Sequence, residues 1–175
     1  NGQSIADAYY GLGYAAMKLG RFTESSTAYA QAARISDDQS VRTDATLRRG
    51  DALYNARNFD DAIRVYRSVL NSSAPTNVRA EAQFQMAQSY LRDGQLDRAR
   101  QEFRAVYQNF SNSAFVVESL YLGGRSAFRA NNFDTAIADF RQVLNQFPRS
   151  EFVVDAIYGM GDAYYNMGNY DEAIT

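Results

Sequence analysis

The chain has 175 residues, of which 46% are hydrophobic and 14% aromatic, and its formal net charge is −2. It contains no histidine and no cysteine, so it has no imidazole base, no thiolate nucleophile and none of the usual zinc ligands. We therefore expect a protein that is not an enzyme and that binds no cofactor and no metal. No apolar run approaches the roughly 18 residues that span a bilayer, so no membrane span is expected either.

A period of 37 residues runs through the whole chain. A small residue returns at this interval, as Gly13, Gly50, Ala87, Gly124 and Gly161. A bulky ring follows at the same interval, as Tyr29, Tyr66, Phe103 and Phe140. A period of this length is typical of stacked units, none of which can bury its apolar face alone. The predicted fold is all-α, a solenoid of antiparallel helix pairs with four full repeats and a partial fifth.

The first helix of each repeat is predicted to begin near a position that again follows the period: Ser4, Val41, Val78, Phe115 and Phe152. Thr76, Ser113 and Ser150 are placed to cap three of these helices. The helices end in turns such as Leu-Gly-Arg at 19–21 and Met-Gly-Asn at 167–169, where glycine supplies a left-handed residue. Glycines near the middle of this helix, Gly11 and Gly13, Gly123 and Gly124, and Gly159 and Gly161, are interpreted as close-packing sites rather than as a phosphate loop.

The second helix of each repeat has the clearer pattern. Phe59, Ala62, Tyr66 and Val69 have the spacing i, i+3, i+7, i+10, which is the stripe of an amphipathic helix. Short side chains that accept hydrogen bonds stand near its start, and we interpret them as N-caps: Thr23, Asp60, Asp97, Asp134 and Asp171.

These residues resemble the tetratricopeptide repeat. The signature lies in Leu12, Gly13, Phe22, Tyr29 and Ala32, and again in Met160, Gly161, Tyr164, Gly168, Tyr170 and Ala173. The resemblance implies a right-handed α-solenoid whose first helices line a concave groove. The linker Phe147-Pro148-Arg149-Ser150 is similar to the variant found in bacterial periplasmic proteins of the Tol-Pal and outer-membrane assembly systems. That similarity implies a periplasmic or outer-membrane-associated protein, with a cytoplasmic one as the alternative.

The chain is expected to form one domain over residues 1–175, with repeats near 4–38, 41–75, 78–112, 115–149 and an incomplete one at 152–175. The fifth repeat stops about one turn into its second helix. We therefore expect the native protein to continue past Thr175, and for these residues alone we expect fraying of the last residues or self-association through the incomplete repeat.

The groove implied by this fold is rich in aromatic side chains and contains a set of arginines. The predicted partner-binding residues are Tyr10, Tyr14, Tyr54, Phe84, Arg92, Tyr121, Arg125, Phe128, Arg129, Tyr158 and Tyr165. They predict a groove for a peptide or an amphipathic helix of another protein, in which the arginines either cluster and bind a carboxylate or are solvated and paired with nearby acids. Packing of the rings against neighbouring helices is the alternative, above all for Tyr54, Phe128 and Tyr165.

Acidic residues recur in the first turns of the same helices, as Asp7, Asp44, Glu81, Glu118 and Asp155. These acidic residues and the negative net charge indicate that the partner is not a nucleic acid, because binding its phosphates requires a basic surface. The functional hypothesis is a non-enzymatic protein-interaction scaffold in a bacterial envelope assembly. The alternative is a regulatory or targeting module of a larger and possibly enzymatic polypeptide.

Overall fold

The computed structural model describes residues 2–174, which form ten α-helices joined by turns. In chain order they are α1 (Gly2–Lys18), α2 (Phe22–Ile35), α3 (Gln39–Asn55), α4 (Phe59–Leu70), α5 (Thr76–Arg92), α6 (Leu96–Asn109), α7 (Val116–Arg129), α8 (Phe133–Gln146), α9 (Phe152–Met167) and α10 (Tyr170–Ala173). Odd-numbered helices are the first helices of the repeats, and even-numbered helices are the second. The predicted all-α fold of consecutive helix pairs is confirmed. No helix in the described part has the length and hydropathy needed to cross a bilayer.

Each first helix begins within two residues of its predicted start. The predicted N-caps, in contrast, are wrong. The second helices begin one residue before the predicted caps, so Asp60, Asp97 and Asp134 lie within the first turn. There a carboxylate still interacts favourably with the positive end of the helix dipole. Ser113 and Ser150 do not cap α7 and α9, since their buried hydroxyls have no hydrogen-bond partner among the described residues.

The turns between the two helices of a repeat share one left-handed residue at the same place in the period. Gly20, Gly94 and Gly168 have φ angles of 71°, 81° and 79°, as the sequence predicts. Arg57 and Asn131 occupy the equivalent positions in the other two repeats, with φ angles of 61° and 59°. The backbone of the turn is therefore kept even where a side chain makes the left-handed region costly.

Where the two helices of a repeat cross, an aromatic ring of the second helix packs against a glycine of the first. A Cβ atom built on Gly13 would lie 2.9 Å from the Tyr29 ring, and one built on Gly50 would lie 2.5 Å from Cε1 of Tyr66. Gly124 has the same relation to Phe140, at 2.7 Å. Close packing is thus confirmed for these positions. For Gly11 it is wrong, because no atom lies within 4 Å of its Cβ position.

Contacts divide the chain into two compact units, one up to Ser89 and one from Tyr90 onward. In the first unit, consecutive helices from α1 to α4 pack on one another, and Tyr29, Ala32 and Ala45 form a buried cluster. In the second unit, consecutive helices from α6 to α10 do the same around a core that includes Phe140 and Val143. The expectation of a single domain over residues 1–175 stays a prediction.

Candidate functional site

An open cavity of about 450 Å³ lies between α7 and α9 in the second unit. We call it the α7–α9 pocket. Its lining residues are Tyr121, Arg125, Phe128 and Arg129 of α7, Phe140 of α8, and Asp155, Tyr158, Gly159 and Asp162 of α9. Because α7 and α9 are first helices of successive repeats and contact each other, the pocket lies on the face where first helices stand side by side.

Glycine at position 159 lets the pocket reach an aromatic ring of the core. A Cβ atom on Gly159 would lie 2.7 Å from the ring of Phe140, which also rests on Gly124. The ring is therefore held between two glycines of successive first helices, and it is only 1% exposed. Any larger residue at 159 would displace this ring or fill the pocket.

Tyr121 is fixed in the pocket wall by its neighbours. Its ring stacks on Phe152 with 5.3 Å between centroids and an interplanar angle of 29°. It also lies 6.0 Å from the ring of Phe140. The guanidinium carbon of Arg125 stands 5.7 Å from the centroid of Tyr121, which is a cation–π distance. The aromatic wall therefore orients at least one of the two arginines.

The structure brings together five of the predicted partner-binding residues in this pocket: Tyr121, Arg125, Phe128, Arg129 and Tyr158. Of the three arginines predicted to cluster, Arg125 and Arg129 line the pocket, and Arg92 does not. Tyr158 is the most exposed ring of the five, at 71%. The acidic residues Asp155 and Asp162 complete the lining.

The rings of Tyr54, Phe128 and Tyr165 all make one repeated packing contact. Each meets the aromatic residue that opens the second helix of its own repeat: Tyr54 meets Phe59 at 5.7 Å, Phe128 meets Phe133 at 5.4 Å, and Tyr165 meets Tyr170 at 5.4 Å. Each ring thus makes a packing contact within its own repeat, as the alternative interpretation expects, while Tyr165 is still 65% exposed. Phe128 alone among them also lines the pocket.

In the first unit the predicted aromatic residues occupy three different environments. The hydroxyl of Tyr10 donates to Asp44, and its ring meets Tyr29 edge-on. Tyr14 is 55% exposed, with Nζ of Lys18 5.3 Å from its ring centroid. Phe84 is only 3% exposed and belongs to the core, so the expectation that it offers an open groove surface is wrong.

The first unit also holds an ion-pair network that the sequence analysis missed. The guanidinium of Arg48 lies 2.6 Å from Asp51, 3.1 Å from Glu81 and 3.4 Å from Asp44. Two of these acids are on its own helix, one turn before and one turn after it. That spacing of Asp44, Arg48 and Asp51 is the signal that could have revealed the network.

Tyrosine hydroxyls complete the network around Arg48. The hydroxyl of Tyr66 donates to Asp51 at 2.8 Å, in the same way that Tyr10 donates to Asp44. Burial raises the pKa of the Tyr66 phenol well above its ordinary value, and the charge of Asp51 adds to this effect. The phenol therefore remains a protonated donor, and the carboxylates of Asp44, Asp51 and Glu81 are held by internal partners.

Comparison with known families agrees with the helix pairs. Three family models, each described as tetratricopeptide repeat, match residues 6–39, 47–114 and 127–175. The chain is built of tetratricopeptide repeats. No curated protein sequence matches it.

Several solved structures share the arrangement of these tetratricopeptide repeats. A crystal structure of MamA protein has a TM-score of 0.77 at 18% identity, covering 97% of this chain and 86% of that chain. An RS-1 ArsTM double mutant of MamA has a TM-score of 0.74 at 16% identity, over 97% and 88%. MamA 41-end from Desulfovibrio magneticus RS-1 has 0.73 at 16%, over 97% and 89%. At these identities the likeness shows the fold, an α-solenoid of tetratricopeptide repeats.

Proposed function

We propose that this chain is a non-enzymatic scaffold that binds a segment of a partner protein, a peptide or an amphipathic helix, in the α7–α9 pocket. Tetratricopeptide repeats themselves support a role in protein interaction. The observation that carries the choice of site is the cavity of about 450 Å³, which joins aromatic rings to charged side chains that have no ion-pair partner among the described residues.

The chemistry of the lining suits a polypeptide. Tyrosine and phenylalanine supply apolar contact area with little loss of side-chain freedom, and tyrosine adds a polar group. Tyr158 projects from α9 with 71% of its surface exposed, while Tyr121 is held in place by stacking on Phe152. An exposed ring beside a fixed one resembles the anchors that dominate binding energy at protein interfaces.

The test is a selection of displayed random peptides of about twelve residues on the purified chain, a length that fills a groove of this kind. Peptides that bind are then measured against Tyr158→Ala. We expect this variant to lose about 2 kcal/mol of binding free energy, as for an aromatic hot spot, with thermal unfolding unchanged. Tyr158 is a cleaner choice than Tyr121, whose substitution also removes packing against Phe152 and Phe140.

Ile157→Ala is the matched control. Ile157 is the neighbour of Tyr158 on α9 and is 53% exposed, but it does not line the pocket. Its substitution should leave peptide binding unchanged. Selected peptides that bind Tyr158→Ala as tightly as the unchanged chain would contradict the proposed site.

We also propose that the scaffold acts in a bacterial envelope. The support is the linker Phe147-Pro148-Arg149-Ser150, whose similarity to periplasmic Tol-Pal and outer-membrane assembly repeats is described above. In the structure this linker and its counterpart at residues 110–113 form the same turn, closed by Ser150 N–H to Phe147 O at 2.9 Å and by Ser113 N–H to Phe110 O at 2.8 Å. Fractionation of source cells into envelope and cytoplasm, followed by immunodetection, tests this assignment.

A further inference from the structure

Charges of opposite sign stand on the two walls of the α7–α9 pocket. Helix α7 contributes Arg125 and Arg129, which are one turn apart and therefore neighbours on one face. Helix α9 contributes Asp155 and Asp162, which are two turns apart. The pocket thus has a cationic wall and an anionic wall, with the rings of Phe128 and Tyr158 as its apolar part.

The four charged side chains of the pocket have no internal charge partner within residues 2–174. Among the described residues, none of the four forms an ion pair or a hydrogen bond through its charged group. Arg125 only lies over the ring of Tyr121. All four residues are exposed, so their charges are available to a molecule that enters the pocket.

The first unit shows what the same face looks like when its charges are satisfied. There Arg48 forms ion pairs with Asp44, Asp51 and Glu81. Three periods after Arg48 stands Gly159, and two periods after it stands Leu122. The second unit therefore has no cation at that position of its first helices. Asp155 and Asp162 of α9 therefore lack the basic neighbour on their own helix that Arg48 provides for Asp44 and Asp51 of α3.

Charge complementarity then indicates the partner. Two adjacent guanidinium groups, one of them oriented by an aromatic ring, suit a carboxylate, which they bind through paired N–H donors. The two aspartates of the opposite wall suit an ammonium or guanidinium group. The rings between the walls suit an apolar or aromatic side chain. A segment that meets all three requirements has an acidic residue, then an apolar residue, then a basic one.

We propose that the α7–α9 pocket selects a partner segment in which an aromatic or aliphatic side chain stands between an acidic and a basic residue. The acidic side chain binds Arg125 and Arg129, and the basic one binds Asp155 and Asp162. This inference rests on the proposed function and states which partner segments the pocket accepts. The charges decide which segment is accepted, while the rings supply most of the affinity.

The peptide selection described above tests this pattern directly. Peptides enriched on the unchanged chain should carry Asp or Glu and Lys or Arg on opposite sides of an apolar residue. A synthetic peptide of that pattern should bind Arg129→Glu about tenfold more weakly, because a carboxylate then faces a carboxylate. Replacing the peptide's acidic residue by lysine should restore binding to Arg129→Glu and weaken binding to the unchanged chain.

Arg104→Glu is the matched control for this charge change. Arg104 is an exposed arginine of α6 in the same unit, and it does not line the pocket. Its reversal should change binding of the synthetic peptide less than about twofold, since exposed charges at a distance are screened by salt.

The outcomes separate the two proposals. Enriched peptides that depend on Tyr158 but show no charge pattern, or that bind Arg129→Glu and Arg104→Glu equally, would overturn the charge selection and leave the scaffold function in place. An absence of any enriched peptide, or binding that is insensitive to Tyr158→Ala as well, would overturn both.

Discussion

In three repeats, a buried aromatic ring packs so closely on a glycine of the first helix that no methyl group would fit there. Tyr29, Tyr66 and Phe140 are each at most 2% exposed, and each lies on the glycine that stands 16 residues before it. Glycine weakens a helix, so its repeated use inside α1, α3 and α7 has a cost. The close approach of the two helices and the burial of a whole ring offset this cost.

Two glycine substitutions should therefore have opposite effects. Gly50→Ala forces a Cβ atom to within 2.5 Å of the buried Tyr66 ring, so we expect the free energy of unfolding to fall by about 1–3 kcal/mol. Gly11→Ala adds a methyl group where no atom lies within 4 Å, so we expect it to rise by about 0.5–1 kcal/mol through helix propensity. Urea denaturation of both variants measures the difference. Equal effects of the two would show that ring packing does not decide the use of glycine at position 50.

At the scale of elements, one ion pair joins the second helices of successive repeats in the second unit. Nε of Arg100 on α6 donates to Oδ2 of Asp139 on α8 at 2.7 Å, and Nη2 donates to Oδ1 at 3.0 Å. The side chain of Asp139 is 12% exposed and that of Arg100 is 24% exposed. The two-point geometry and the partial burial distinguish this contact from a solvated surface pair, which contributes little.

Removing one partner of this pair should be costly. We expect Asp139→Ala to lower the free energy of unfolding by about 3 kcal/mol, because Arg100 then stays partly buried without its partner. The double variant Arg100→Leu/Asp139→Leu should recover much of that loss. Asp134→Ala, an exposed carboxylate of the same helix, is the control and should cost less than about 1 kcal/mol. If Asp139→Ala costs no more than Asp134→Ala in chemical denaturation, the pair does not hold α6 to α8.

At the scale of the whole molecule, helix α9 exposes an apolar face that its counterpart in the preceding repeat buries. Leu120 of α7 is 4% exposed and belongs to a core cluster with residues of α8. Ile157, one period later on α9, is 53% exposed, and Val154 beside it is 60% exposed. Helix α10 has only four residues, and none of them is buried. The exposed face of α9 is therefore equivalent to a face that α7 uses to pack against another helix.

A polypeptide of these 175 residues should self-associate through this α9 face. We expect its apparent mass in light scattering to rise with concentration, since burial of such a face stabilises contact between copies. The double variant Val154→Lys/Ile157→Lys should stay monomeric over the same range. Arg104→Glu, which alters an exposed residue away from this face, should associate like the unchanged chain. A chain that is monomeric at every concentration would contradict the expected self-association through the fifth repeat.

The period of the sequence predicts the helix pairs, the left-handed glycines in the turns and the close packing at Gly13 and Gly124 of the first helices. These features depend on residues close in the chain or one period apart, and periodicity records such relations directly. The N-caps of the second helices were predicted two residues too late, at Asp60 instead of Asn58 for example, because that choice rests on local geometry and not on the pattern.

Only the tertiary structure decided which groove residues are available. Phe84 and Tyr158 share one position of the repeat, yet one is 3% and the other 71% exposed, since exposure depends on the neighbouring helices that cover a side chain. Arg48 is held by acids of its own helix and of the next first helix, whereas Arg129 of the second unit forms no ion pair with any described residue. Charge pairing depends on distances between helices, and the residue types at one position of the repeat do not give those distances. Gly159 lines the α7–α9 pocket beside the buried ring of Phe140, a contact that depends on how α8 and α9 pack and not on the period.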